Sequence, residues 1–106
     1  MADDQAGTTP GNEHQEEATI TFAAFVFSLA HTAAVHFGDI PDPVTGQTSE
    51  ANLPAAQQMI DILSLLEAKT RGNLTAEERQ LVDQILYELR MRYVEATKSQ
   101  SRIITP

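Results

Sequence analysis

An all-α domain of three helices is what the sequence predicts. Three stretches repeat their apolar residues at helical spacing, each begins on a residue suited to capping a helix, and Gly or Pro punctuates the connections. With 106 residues there is room for one domain. Residues 1–18 are expected to be a disordered acidic tail. They carry Asp3, Asp4, Glu13, Glu16 and Glu17 with no Lys or Arg, and after Met1 no large aliphatic or aromatic residue that could offset the entropy of ordering. Residues 19–98 form the predicted three-helix domain, one apolar helix plus an antiparallel helical hairpin, and residues 99–106 a frayed C-terminal tail.

The first helix is predicted over Phe22 to Phe37. Thr21 is placed to accept a free amide of the first turn, Gly38 to take the left-handed position after the last, and Pro41 and Pro43 to prevent continuation. Two apolar stripes run along it. Phe22, Phe25, Val26, Leu29 and Ala33 make one, expected to pack on the hairpin, and Phe27, Ala30, Ala34 and Phe37 make the other. A connection from Gly38 to Asn52 follows. The second helix starts after Asn52, tolerates Pro54 in its first turn and is expected to reach Gly72. Its polar stripe is Gln57, Asp61, Ser64, Glu67 and Arg71, and the apolar remainder suits a central helix with neighbours on two sides.

Thr75-Ala76-Glu77-Glu78 is a capping box opening the third helix, predicted over Ala76 to Thr97. So little chain separates it from the second helix that the two must double back on each other. Val82, Leu86, Leu89, Tyr93 and Ala96 alternate at steps of four and three, the spacing of a coiled-coil-like seam. Glu67 with Arg71 and Glu88 with Arg92 are read as ion pairs one helical turn apart.

Several function classes find no support in the composition. A formal net charge of -8 argues against nucleic acid or an anionic membrane as partner. The cations Arg90, Arg92, Lys98 and Arg102 are read as complementing the end of the last helix. With no cysteine, thiolate metal sites, disulfides and Cys nucleophiles drop out, which suits a cytoplasmic protein. Ala18 to Gly38 lacks formal charge but is broken by Thr21, Ser28, His31, Thr32 and His36 and has no basic flank, so neither a secretory signal nor a membrane span is expected. Asn73-Leu74-Thr75 matches a glycosylation acceptor, but helix capping accounts for the Thr.

Candidate sites resolve the same way. His31 and His36 stand about 140° apart on a helix, too far to share a metal as neighbours one turn apart do. Ser28 lies within reach of His31 and Thr32 by spacing, yet no Gly-rich elbow accompanies it, and it is read as a small residue allowing close helix approach. Asp39 and Asp42 are read as turn initiators, because the regular oxygen ligands of a calcium loop are missing. Tyr87, Arg90 and Arg92 make a weak docking patch, since Arg90 and Arg92 point to different sides. No catalytic residue, metal ligand or cofactor is assigned.

The chain from Phe22 to Val94 resembles a bacterial family catalogued as a domain of unknown function, number 1844. The resemblance rests on Phe22 with Ser28-Leu29, on Gly38-Asp39-Ile40-Pro41-Asp42-Pro43, on Ile60-Asp61-Ile62-Leu63, on Lys69-Thr70 and on Gly72-Asn73-Leu74-Thr75. It closes on Leu86-Tyr87-Glu88-Leu89-Arg90-Met91-Arg92-Tyr93-Val94. It carries over no catalytic or binding residue.

The sequence therefore poses a question of surface. The first helix carries more apolar surface than two companions are expected to cover, and Phe27, Ala30, Ala34 and Phe37 are expected to form an interface. Burying an exposed Phe is worth about 1.5–3 kcal/mol. The expected function is a non-catalytic helical module for self-association, most simply a two-fold dimer, or for binding a protein partner. The alternatives are a membrane-peripheral protein using the first helix, and a small metal-binding protein using His31 or His36.

Overall fold

The computed structural model of the chain describes residues 19–104, with side chains through Ser99. The acidic tail expected over residues 1–18 lies outside the described residues, as do residues 105 and 106. Three helices follow in order and each touches the other two: α1 (Phe22–Phe37), α2 (Leu53–Lys69) and α3 (Ala76–Ile104).

Each start is set by a side chain that takes up a free amide. The Ala24 N–H donates to the Thr21 hydroxyl oxygen at 3.0 Å and the Ala55 N–H to the Asn52 side chain at 3.1 Å. The capping box of α3 is formed in both directions, with Glu78 N–H donating to Thr75 Oγ1 at 3.1 Å and Thr75 N–H to Glu78 Oε1 at 2.9 Å. The end of α1 is equally local. Gly38 turns left-handed at φ 82°, and the N–H groups of Gly38 and Asp39 reach back to the carbonyls of Val35 and Ala34 at 2.9 and 3.0 Å.

Two boundaries differ from expectation. α2 stops at Lys69 rather than Gly72: the Thr70 hydroxyl donates to the Leu66 carbonyl at 2.8 Å, and Gly72 is already in a left-handed turn at φ 85°. α3 runs on past Thr97 to Ile104, through most of the segment expected to fray, because no Gly or Pro interrupts the sequence between Ala76 and Ile104. At 1.5 Å per residue α3 is about 43 Å long and α1 about 24 Å, so the third helix outruns the bundle.

The core is a set of parallel seams. From α1 come Val26, Ala33 and Phe37, from α2 Leu53, Ala56, Ile60 and Leu63, and from α3 Val82, Ile85, Leu86 and Ala96. Leu63, Val26 and Val82 are fully enclosed. Leu89 and Tyr93 pack against them, which completes the seam of α3 expected from spacing.

α1 is rotated relative to its expected setting. Phe37, expected to need a mate, is only 3% exposed and belongs to the protomer's own core, while Phe25, expected inside, is exposed. The reason is the run Val26, Ala30, Ala33, Phe37, at steps of four, three and four, which holds one face to the bundle through the last turn. A stripe through Phe25 and ending at Ala33 would have left that turn unpacked.

Candidate interaction surfaces

The four residues expected to form one interface are split by this rotation. Phe27 stays 55% exposed, Phe37 is enclosed, and Ala30 and Ala34 are half-buried, with Ala30 packed against the core. They do not make a common exposed seam.

Apart from Phe27, a larger uncovered apolar surface lies elsewhere, and the same heptad arithmetic locates it. Phe25 is off the inner stripe of α1, and Ile62 and Leu65 are off the inner stripe Leu53, Ala56, Ile60, Leu63 of α2. These residues meet on one side of the α1–α2 pair. Phe25, Leu29, Ile62, Leu65 and Leu66 line an open cleft of about 200 Å³ with the Lys69 stem at its rim. Leu65 is 59% exposed. Sequence reasoning missed this cleft because it assigned Phe25 to the inside and gave α2 neighbours on both apolar flanks.

A second surface lies along the outside of α3. Tyr87, Met91 and Val94, at steps of four and three, are 65%, 51% and 44% exposed. Tyr87 and Met91, with Glu88, Arg92 and Glu95, line an open depression of about 310 Å³. Of the patch Tyr87, Arg90 and Arg92, both arginines are engaged within the protomer. Arg90 donates to the Ser64 hydroxyl on α2 at 3.3 Å.

Arg92 has a role that its spacing conceals. The expected pair with Glu88 is not formed, and Glu88 instead accepts from the Gln84 amide at 3.1 Å. Arg92 reaches back to Asp39, donating through Nε and Nη2 to both carboxylate oxygens at 2.8 and 2.7 Å, and its guanidinium lies 5.2 Å from the centre of the Phe37 ring. It therefore covers the aromatic end of α1 and fixes the start of the long connection onto α3. Hydrogen bonding to Arg92 holds the Asp39 carboxyl below its ordinary range, against a smaller opposing effect of burial. The pair Glu67–Arg71 does form as expected, at 2.7 Å, on open surface.

The remaining polar candidates are used by the fold. The Ser28 hydroxyl donates to the Phe25 carbonyl at 2.7 Å, and Thr32 donates to the Ser28 carbonyl at 3.0 Å. Ser28 is exposed, so it does not serve a close helix contact inside the protomer. Asp42 behaves as a turn initiator, its carboxylate accepting from the Val44 N–H at 2.7 Å. Asp39 does not, because Arg92 claims it. Among the described residues no cluster of three or more His, Asp or Glu is placed to hold a metal ion, and no helix is long and apolar enough to cross a membrane.

No curated protein and no solved structure matches the chain. A family described as a domain of unknown function, DUF1844, matches residues 19–95, which span all of α1 and α2, the two connections and α3 as far as Glu95. With most of its length matched, the chain belongs to the DUF1844 family.

Proposed function

We propose that this domain is a non-catalytic helical module for self-association and protein interaction, working through apolar surface that its own three helices leave uncovered. The observation that carries this reading is the α1–α2 cleft. Phe25, Leu29, Ile62, Leu65 and Leu66 form one apolar surface, half open to water, on a domain whose inner seams are already filled. An amphipathic helix laying alternate apolar residues into such a cleft is a standard way of covering it, and Lys69 at the rim favours an acidic residue beside the apolar anchor. A cytoplasmic setting, where such a partner meets the module without a bilayer, is part of the same reading.

Site-specific photo-crosslinking in cells tests it. A photoreactive residue in place of Leu65 or Ile62 is expected to give a discrete product of higher mass, whose size separates a second copy from another protein. The control is the same photoreactive residue in place of His31, which is exposed on α1, lies on the side away from Leu29 and does not line the cleft, and it is expected to give no such product. Equal, diffuse labelling at all three positions would contradict the proposal, and transfer of the label into lipid would favour the membrane-peripheral alternative.

A further inference from the structure

We infer that α3 pairs with α3 of a second copy of this chain, antiparallel, along a seam distinct from the one it uses inside the protomer. The inference rests on the association reading above but on a different surface. The inner seam of α3 is Val82, Leu86, Leu89, Tyr93 and Ala96. Offset from it runs a second heptad line, Gln80, Gln84, Tyr87, Met91, Val94 and Lys98, again at alternating steps of four and three. Every residue of this outer line is exposed. It is apolar in the middle and polar at both ends, which limits the contact to a defined stretch.

The charges of α3 name the occupant and its direction. From Ala76 to Leu89 the helix carries Glu77, Glu78, Asp83 and Glu88 against Arg79, a net charge of -3; from Arg90 to Ser99, with Arg92 set aside because Asp39 neutralises it, it carries Arg90 and Lys98 against Glu95, a net charge of +1. A parallel copy would set the acidic half on the acidic half and Asp83 beside Glu88. An antiparallel copy sets each half against its opposite and also opposes the helix dipoles. The register follows from the flanks. Centring the pair on Met91 would bring Arg90 onto its own symmetry mate and Glu88 onto Glu95. Moving the axis toward Tyr87 places Asp83 opposite the partner's Arg90, twice by symmetry, and Lys98 near the partner's Glu77. The two Tyr87 rings then meet beside the axis, and Met91 layers against the aliphatic stem of the partner's Gln80. Two like-charge approaches remain: Glu88, close to the axis, faces its own mate, and Glu78 comes level with the partner's Glu95.

The seam from Gln80 to Lys98 is about 27 Å long. A single helix pair of that length lies at the small end of specific interfaces, so the dimer is expected in the micromolar range. Arg92 takes no part, being held by Asp39, whereas Arg90 is exposed and, among the described residues, bonded only to the neutral Ser64 hydroxyl, so its charge stays open to the partner's Asp83; the α1–α2 cleft stays free.

Sedimentation velocity on the full chain tests the pairing. Wild-type protein is expected to pass from monomer to dimer between micromolar and near-millimolar concentration, and Met91→Glu to stay monomeric with an unchanged circular-dichroism melt. Asp83→Arg and Arg90→Asp are each expected to weaken the dimer about tenfold, and the double variant to restore it to within about threefold, by the scale of close charge pairs across interfaces. A double variant no tighter than either single one would overturn the antiparallel register. Dimerisation abolished by Phe25→Asp and untouched by Met91→Glu would overturn the α3 seam while leaving association through the α1–α2 cleft standing. A monomer at every concentration would overturn it outright.

Discussion

The two apolar lines of α3 have almost the same spacing and opposite fates. The inner line, through Val82 and Leu86, is enclosed by α1 and α2; the outer line, through Tyr87, Met91 and Val94, faces water along the same helix. α2 repeats the contrast, with Ile60 and Leu63 enclosed and Ile62 and Leu65 open. Periodicity alone marks both lines as apolar. What separates them is how many partners the protomer supplies, and three helices supply enough for one line each. Inner residues should therefore govern whether the domain folds, and outer residues what it meets.

Substitutions sharpen that division, starting from the largest effect. Leu63→Ala empties a fully enclosed position and is expected to cost about 2–5 kcal/mol, read as a lowered midpoint in urea unfolding. In a domain of this size that loss is a large fraction of the whole folding stability. A Leu63→Ala variant as stable as wild type would mean that the inner seam does not hold the fold.

Gly38→Ala comes next. The position is left-handed at φ 82°, and an added Cβ would lie 2.8 Å from the Ser49 carbonyl oxygen, so both the turn and the loop resist it. The left-handed conformation alone costs about 1–2 kcal/mol in a non-glycine residue, and the contact adds to it. Gly46 is also left-handed, but a Cβ there meets nothing. Gly46→Ala should therefore cost less than Gly38→Ala by thermal melting, and the difference measures the close approach of the loop.

Arg92→Ala removes the cover over Phe37 together with the pair to Asp39, and about 1–2 kcal/mol is expected from the two contributions at a partly exposed site. Asp39→Asn removes the ionic part alone, and because both partners are more than a third exposed its cost is expected at about 1 kcal/mol or less. The sign of the pH dependence follows from the lowered pKa of Asp39. Its contribution is complete above the ordinary value of 3.8 and is lost as pH falls through the depressed folded-state value. Wild type and Asp39→Asn should then differ near neutral pH and converge in strong acid; a gap that widened toward low pH would refute the pair as the cause.

Smallest of all are the outer positions. Leu65→Gln and Tyr87→Gln are expected to change protomer stability by no more than about 0.5 kcal/mol. Each should weaken association instead, Leu65→Gln at the cleft and Tyr87→Gln at the α3 seam.

Much of the backbone was legible in the residues because its signals are local. Thr21, Gly38, Asn52 and the box from Thr75 to Glu78 each act within a turn of their own helix, and all four act as expected. The end of α2 was placed too late because Thr70 offers its hydroxyl to a carbonyl just where Gly72 draws attention as the stop. Arg92 could not be read from spacing. Glu88 is one turn away, and the choice of Asp39 depends on where the long connection folds back, which only tertiary packing decides. The residues expected at an interface were split between inside and outside for a related reason. A helix apolar on most of its circumference has several workable settings, and Phe37 was drawn inward by a stripe reaching the last turn, which exposed Phe25 in exchange. The surplus of apolar surface was foreseen, but its position was not.

Whether the outer apolar lines are contact surface between copies is tested most directly by the solution mass of the intact chain. Light scattering on the full-length protein, from micromolar to near-millimolar concentration, should show the mass climbing from the 11.6 kDa protomer toward twice that value. A mass fixed at 11.6 kDa over the whole range would contradict that contact.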